Sequence, residues 1–299
     1  MRDLKLGIIG MSEGNGHPYS WSAIFNGYDK RAMDDCGFPV IPVYLAKQRF
    51  PEDTIAGARV TNVWTQSINL SHKISKAAKI ENVNESISEM IPQIDAALLA
   101  RDDAENHFRF AKFFLDAGLP VFIDKPLAIN MQSAKKILSL EKYLGQIFSC
   151  SASRYAEEFD LTNDDLEDMG HLKKIIGYTP NSWEKYAVHL IEPMQRYIPT
   201  SSIIENKKVI KTPRSHTLNL EYSNDLSVEI HCLKLKKRPI ELIFVGEKKE
   251  IKVTWQNPFN SFKKSLSTFI DSIRSRKAAL THQDMLRTVN LIELGNTYD

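Results

Sequence analysis

The stretch between Ile94 and Pro126 constrains this chain more than any other. Ile94-Asp95-Ala96-Ala97-Leu98-Leu99-Ala100 is a mainly apolar run of strand length, closed by the turn Arg101-Asp102-Asp103. Asp102 and Glu105 have capping-box spacing for a following helix. Phe108, Ala111, Phe114 and Leu115 recur at helical intervals and form its core stripe. Gly118 ends that helix, and Pro120 prevents its return. A second apolar run, 119–123, leads into Asp124-Lys125-Pro126. Strand, helix and strand in this order predict a parallel pair with a right-handed crossover. Parallel sheets bind ligands outside the carboxyl ends of their strands. Lys125 falls at such an end, where an ammonium can donate to a substrate oxygen, and Pro126 stops the strand.

The amino-terminal segment extends this pattern. Leu6-Gly7-Ile8-Ile9-Gly10 is a short apolar strand. The glycine-rich turn Met11-Ser12-Glu13-Gly14-Asn15-Gly16 follows, then a helix over about 20–26. Glycines let a backbone approach a pyrophosphate, and the helix start offers free N–H groups. The spacing Gly10, Gly14, Gly16 departs from G-x-G-x-x-G, so a purely structural turn reads equally well. Residues 38–45, Phe-Pro-Val-Ile-Pro-Val-Tyr-Leu, are expected to form the second strand. Dinucleotide folds often place a ribose-binding acid after that strand. Here Lys47-Gln48-Arg49 follows instead, which fits either the 2′-phosphate of NADP or solvated loop charge.

The remaining composition excludes more than it assigns. A length of 299 residues suffices for two domains with separate cores, and 42% hydrophobic and 25% charged residues are ordinary for a globular chain. A net charge of +2 gives no reason to expect nucleic acid. The densest basic run, Lys234, Lys236, Lys237 and Arg238, reads as a solvated turn between strands. Cys36, Cys150 and Cys232 are scattered and fit reduced thiols in the cytoplasm, not a disulfide framework or a zinc site. No apolar run reaches the roughly 20 residues needed to span a bilayer. The terminus enters a strand directly, without signal-peptide character. No grouping of histidines and acids suggests a metal.

After a helix expected over 129–143, the pattern turns strand-rich. Strands are expected over 146–155, 172–179, 202–211, 216–222, 226–233, 241–246 and 250–255, with a helix over 184–197 and two closing helices over 261–275 and 282–294. Such an order predicts an antiparallel sheet with helices on one face. Its other face has enough apolar positions to require cover, which implies a homodimer or homotetramer through that sheet. The hydroxyl-rich stretch 67–75 and the acidic stretch 157–170 read as solvated loops. The fold class is therefore α/β: a Rossmann dinucleotide-binding domain over 1–125, then an α+β domain over 126–299 with a large, mostly antiparallel sheet.

These motifs resemble the Gfo/Idh/MocA family, the glucose–fructose oxidoreductase and inositol dehydrogenase group. Lys5 to Gly10 looks like the family's first strand. Asp95 to Pro126 is similar to its strand–helix–strand segment ending in Glu-Lys-Pro, with Asp124 in the acid position. Ser153-Arg154-Tyr155 matches its arginine-bearing strand, and 262–294 its closing helices. The resemblance implies NAD or NADP as cofactor, with NADP favoured by Lys47 and Arg49. It implies a carbohydrate or polyol substrate and neither nucleic acid nor membrane as partner. The cofactor set it implies is Gly10, Ser12, Glu13, Gly14, Asn15, Gly16, Lys47, Arg49, Ala100, Arg101, Asp102, His107, Asp124, Lys125 and Pro126. Lys125 would polarise the reacting oxygen and His189 would exchange its proton. Arg154, Tyr155, Lys185 and Tyr186 would meet the substrate.

One departure matters. The family usually carries an aspartate four residues before the catalytic histidine. In Trp183-Glu184-Lys185-Tyr186-Ala187-Val188-His189 that position holds Lys185. One helical turn apart, the two side chains should face the same way, and a cation there cannot accept a proton. Either Glu184 or Tyr186 joins a rearranged catalytic set, or the chain has become a dinucleotide- or sugar-binding sensor without turnover.

Overall fold

Continuous apolar runs become strands covered on both sides: Ala96–Leu99 and Val121–Ile123 are buried along their whole length. The computed structural model describes residues 2–235 and 238–297. The chain divides into two units. The first contains the residues up to Ala128 together with Gln132–Cys150 and Phe262–Met285, and the second contains Ile129–Met131, Ser151–Ser261 and the residues from Leu286 onward.

In the first unit, strands Leu4–Ile9 (β1), Ala58–Trp64 (β2), Asn82–Val83 (β3), Ala96–Leu99 (β4), Val121–Ile123 (β5) and Ile147–Phe148 (β6) form one sheet. Their order is β3-β2-β1-β4-β5-β6, and every pairing is parallel. This is the doubly wound order of a dinucleotide-binding sheet. An aromatic cluster fills its core. Phe122 of β5 lies 4.8 Å from Trp21, 4.7 Å from Phe148 and 5.6 Å from Phe269, ring centre to ring centre. Phe269 comes from the helix Pro258–Ser275, near the end of the chain. Its ring explains why that late helix belongs with the first unit's core.

Residues 38–45 are not a strand. Val40–Leu45 is a helix, and the second strand is Ala58–Trp64. Pro42 cannot donate to a sheet ladder, which disfavours a central strand. The segment instead packs against the glycine turn: a Cβ on Gly16 would lie 2.6 Å from Ile41 Cδ1 and 2.8 Å from Phe38 Cγ. The true strand escapes a hydrophobicity reading because Asn62 sits buried within it. Its Nδ2 donates to Asn84 Oδ1 and Gln93 Oε1, both at 2.9 Å. The hydroxyl-rich stretch also changes character. Ile68–Ala78 is a helix with Ser71 buried, and Ser71 Oγ accepts from Thr65 N at 2.9 Å.

In the second unit, strands Leu172–Pro180 (β7), Ile204–Lys211 (β8), Ser215–Tyr222 (β9), Ser227–Leu233 (β10), Glu241–Gly246 (β11) and Glu250–Thr254 (β12) form a sheet in the order β12-β11-β7-β10-β9-β8. All its pairs are antiparallel except β7 with β10. Burial alternates along β10, where Val228, Ile230 and Cys232 face the core. The helix Val188–Met194 covers that face. A Cβ on Gly177 would lie 2.5 Å from Met194 Cε, so a side chain there would lift the helix off β7. Trp183 stacks on His216 at 4.6 Å and donates through Nε1 to Ile292 O at 2.9 Å. The opposite face carries Lys174 bonded to Glu229 at 3.0 Å and Tyr178 stacked on His231 at 4.8 Å, beside the half-exposed Ile176 and Ile243.

Three further expectations change. The strand expected over 146–155 is only Ile147–Phe148, and Ala152–Tyr155 is a 3-10 turn capped by Ser151. The helix expected over 184–197 is two, Trp183–Tyr186 and Val188–Met194. The acidic stretch is not an irregular loop: it holds a 3-10 turn, Glu157–Phe159, and the helix Asn163–Met169, whose start is a capping box between Thr162 and Asp165. Of the basic run, Lys236 and Lys237 lie outside the described residues. Arg238 pairs with Glu241 and sits 4.3 Å over the Tyr178 ring.

Candidate functional site

In the first unit, the turns after β1, β4 and β5 bring the chemistry together. Lys125 follows β5 and is only 5% exposed. Its Nζ lies 3.4 Å from Asp102 Oδ2, from the turn after β4. Ser12, from the glycine turn, donates through Oγ to Asp102 Oδ1 at 2.7 Å, and Asp102 N donates back to Ser12 Oγ at 3.1 Å. A buried ammonium needs such a partner, and the carboxylate fixes its position. Asp102 therefore does not cap the following helix as its spacing suggested. Asp103 does the local work there, accepting from Asn106 Nδ2 at 2.7 Å and from Arg101 at 2.5 and 2.9 Å. Burial pushes the Asp103 carboxyl up, but the bonds from Arg101 and Asn106 outweigh it and hold it below its ordinary value.

Asp124 is fully buried and accepts three hydrogen bonds. Asn15 Nδ2 donates to Oδ2 at 2.8 Å, His17 Nδ1 meets the same oxygen at 2.6 Å, and Lys125 N donates to Oδ1 at 2.7 Å. The carboxylate thus joins the glycine turn to the tip of β5. Gly14 has φ +77° with nothing within 4 Å of a Cβ placed there, so the turn is open at that residue. Gly10 is the reverse case, because a Cβ would lie 2.4 Å from Pro18 Cγ. Glu13, next to Gly14, is exposed, while Ala100 is buried and donates through its N–H to Ile9 O at 2.8 Å. His107 is completely buried, with ring nitrogens 3.0 Å from Leu127 O and 2.7 Å from Arg101 O. It ties the turn after β4, at Arg101, to the residue that follows Pro126.

Lys47 and Arg49 are not brought to this edge by β2. They are exposed and follow the helix Val40–Leu45. The residues that do follow β2 are Thr65, Gln66 and Ser67. Gln66 accepts from Met11 N at 3.0 Å and donates to Met11 O at 2.6 Å, clamping the glycine turn. Trp64, Thr65, Gln66, Ile68, Asn84 and Glu85 line a cleft of about 350 Å³. Gln66 and His17 escaped the sequence reading. A β-branched run at 58–64 was the available signal for Gln66; His17 had none beyond its place after Gly16.

In the second unit, His189 is 7% exposed on the helix Val188–Met194. Its Nδ1 lies 2.7 Å from Ser151 Oγ, and its ring is 5.3 Å from Tyr186 and 5.8 Å from Trp255. Lys185 and Tyr186 are half-buried on the preceding turn. Arg154 and Tyr155 stand on the 3-10 turn after Ser151, not on a strand. Arg154 pairs with buried Glu192, and Thr288 Oγ1 donates to the same carboxylate at 3.3 Å. Burial pushes the Glu192 carboxyl above its ordinary value despite Arg154. Among the described residues, no group of three or more histidines, cysteines and acids is placed to hold a metal.

The comparisons with known proteins agree with this architecture. Residues 39–151 match the family model GFO_IDH_MocA, the oxidoreductase family with an NAD-binding Rossmann fold. No curated protein sequence matches the chain. Apo scyllo-inositol dehydrogenase from Lactobacillus casei is 13% identical with a TM-score of 0.73, over 99% of this chain and 96% of its own. The same dehydrogenase with bound NAD(H) and scyllo-inositol is 14% identical, TM-score 0.65, over 97% and 95%. An oxidoreductase from Agrobacterium radiobacter, in complex with NAD+, L-tartaric acid and magnesium, is 13% identical, TM-score 0.70, over 97% and 94%. At these identities the structural likeness speaks for the fold alone. With the family model across its Rossmann segment and the Lys-Pro tip inside it, residues 39–151 are similar to the Gfo/Idh/MocA oxidoreductase family.

Proposed function

We propose that the protein is an NAD(P)-dependent oxidoreductase acting on a hydroxyl or carbonyl of a sugar, polyol or nucleotide-linked sugar. The observation that carries this reading is the buried Lys125 ammonium, held by Asp102 at the carboxyl edge of a β3-β2-β1-β4-β5-β6 parallel sheet. The open Gly14 and the polar set Ser12, Asn15 and Arg101 fit a dinucleotide. A nicotinamide cofactor would supply or take the hydride. Lys125 polarises the substrate oxygen as its charge changes. In the second unit, His189 is the candidate for proton exchange with substrate. Arg154, Tyr155, Lys185 and Tyr186 are the candidates for substrate contact. The matching family model is that of an NAD-binding fold, and Lys47 and Arg49, lying off the end of β2, no longer favour NADP.

The dehydrogenase with bound scyllo-inositol makes polyols the first substrates to try. The test is reduced-nicotinamide absorbance and fluorescence across a panel of polyols, sugars and their ketones, with NAD and NADP in turn. Turnover with one of them is the expected result. Binding without turnover on any member would favour the sensor reading, which Lys185 in the acid position supports. The same reading includes a cytoplasmic location, consistent with three buried free cysteines, and self-association through the second sheet's outer face. A monomer mass in light scattering would remove that last part.

A further inference from the structure

Three side chains of the second unit form a short relay. Ser153 and Ser151 are completely buried, and their Oγ atoms lie 2.7 Å apart. Ser151 Oγ also accepts from Ser153 N at 3.2 Å and lies 2.7 Å from His189 Nδ1. A hydroxyl has one proton to give and two lone pairs to fill. Among the described residues, Ser153 Oγ has no acceptor other than Ser151 Oγ. If Ser151 gave its proton to Ser153, the Ser153 hydroxyl would be a buried donor without a partner, at a cost of about 1–3 kcal/mol. The satisfied arrangement runs the other way. Ser153 donates to Ser151, both lone pairs of Ser151 are then filled, and its proton points at Nδ1.

We infer that Ser151 is a positioning residue that holds neutral His189 as the tautomer with its proton on Nε2. A carboxylate partner would do the opposite, accepting from Nδ1 and leaving Nε2 as an acceptor. This inference rests on the dehydrogenase reading and narrows it. In its neutral form the ring donates to a substrate oxygen but cannot take a proton from one. It therefore recognises a carbonyl oxygen, as in reduction of a ketone or aldehyde: hydride supplied by a nicotinamide would add to the carbonyl carbon, the C=O pair would move onto the oxygen under the Nε2–H bond, and that oxygen would take its proton from water. A neutral imidazole that polarises a carbonyl is sound chemistry for such a task.

Nitrogen-15 NMR of the full-length, histidine-labelled protein tests the tautomer directly, with His189→Asn providing the assignment. The expected spectrum of neutral His189 shows protonated Nε2 and unprotonated Nδ1, and Ser153→Ala relaxes that bias. A proton on Nδ1 in the wild type overturns the inference. Kinetics give the second readout. Ser151→Ala is expected to lower kcat for carbonyl reduction roughly 10- to 100-fold with little change in KM, by analogy with loss of tautomer control elsewhere. Ser151→Thr, which keeps the hydroxyl, restores it. Unchanged kcat in Ser151→Ala overturns the assignment. Absence of turnover in the wild type would remove the dehydrogenase reading, while the spectrum still decides the tautomer.

Discussion

The two sheets solve the problem of presenting polar chemistry in different ways. The parallel sheet of the first unit is buried along β4 and β5, so its functional groups stand at the strand tips, in turns. Lys125, Asp102 and Ser12 come from three such turns, each set by one strand end. The mixed sheet of the second unit buries alternate residues and packs a helix on one face. Its polar groups lie on that helix and on a 3-10 turn, and they meet only because the chain folds back: His189 with Ser151, Glu192 with Arg154. Site residues at strand tips follow from local order. Site residues on a packed helix depend on which distant segment comes to face it.

The largest expected effect concerns what holds each unit together. Trp183→Ala should destabilise the second unit by about 3–5 kcal/mol, and Phe269→Ala the first by a similar amount. Thermal unfolding of both variants checks this. If Phe269→Ala loosens only the second unit's transition, the late helix has been given to the wrong core. Next comes Lys125→Met, which should lower kcat by roughly 10²- to 10³-fold, as loss of one preorganised donor does. Near-normal turnover would show that the strand tip does not carry the chemistry.

Asp124→Ala should cost about 1–3 kcal/mol, because Asn15, His17 and Lys125 N lose their buried acceptor. Reduced-nicotinamide binding should weaken in the same variant, since the glycine turn is no longer joined to β5. The smallest effect is at Glu192. Its carboxyl stands above the ordinary value in the folded protein, so the folded state holds a proton that the unfolded chain gives up first. That contribution is present below the unfolded value, near pH ~4.5, and fades as pH rises through the folded one. Glu192→Gln should flatten this decline in a melting series from acid to neutral pH. A wild-type melting temperature that rises over that range because of Glu192 would reverse the sign.

Much of the first unit was legible in the sequence. Leu6–Gly10, Ile94–Ala100 and the Lys-Pro tip are local patterns, and each strand's end announces its turn. The misplaced second strand shows the limit. Residues 38–45 are more apolar than 58–64, yet Pro42 and contact with Gly16 make them a helix, while Asn62 is buried in a strand because Asn84 and Gln93 satisfy it. Hydropathy scores a side chain alone and cannot include its partner's hydrogen bonds.

By itself, the sequence determined the parallel βαβ segment, the Lys125 tip, the strand-rich second half and a family resemblance. These depend on periodicity and on glycine and proline positions, which act within a few residues. Only the tertiary structure decided that Gln66 clamps the glycine turn, that Asp124 joins that turn to β5, and that Ser151 meets His189 in place of an acid on its own helix. Each of those is a hydrogen bond between segments far apart in the chain, and its partner is chosen by packing.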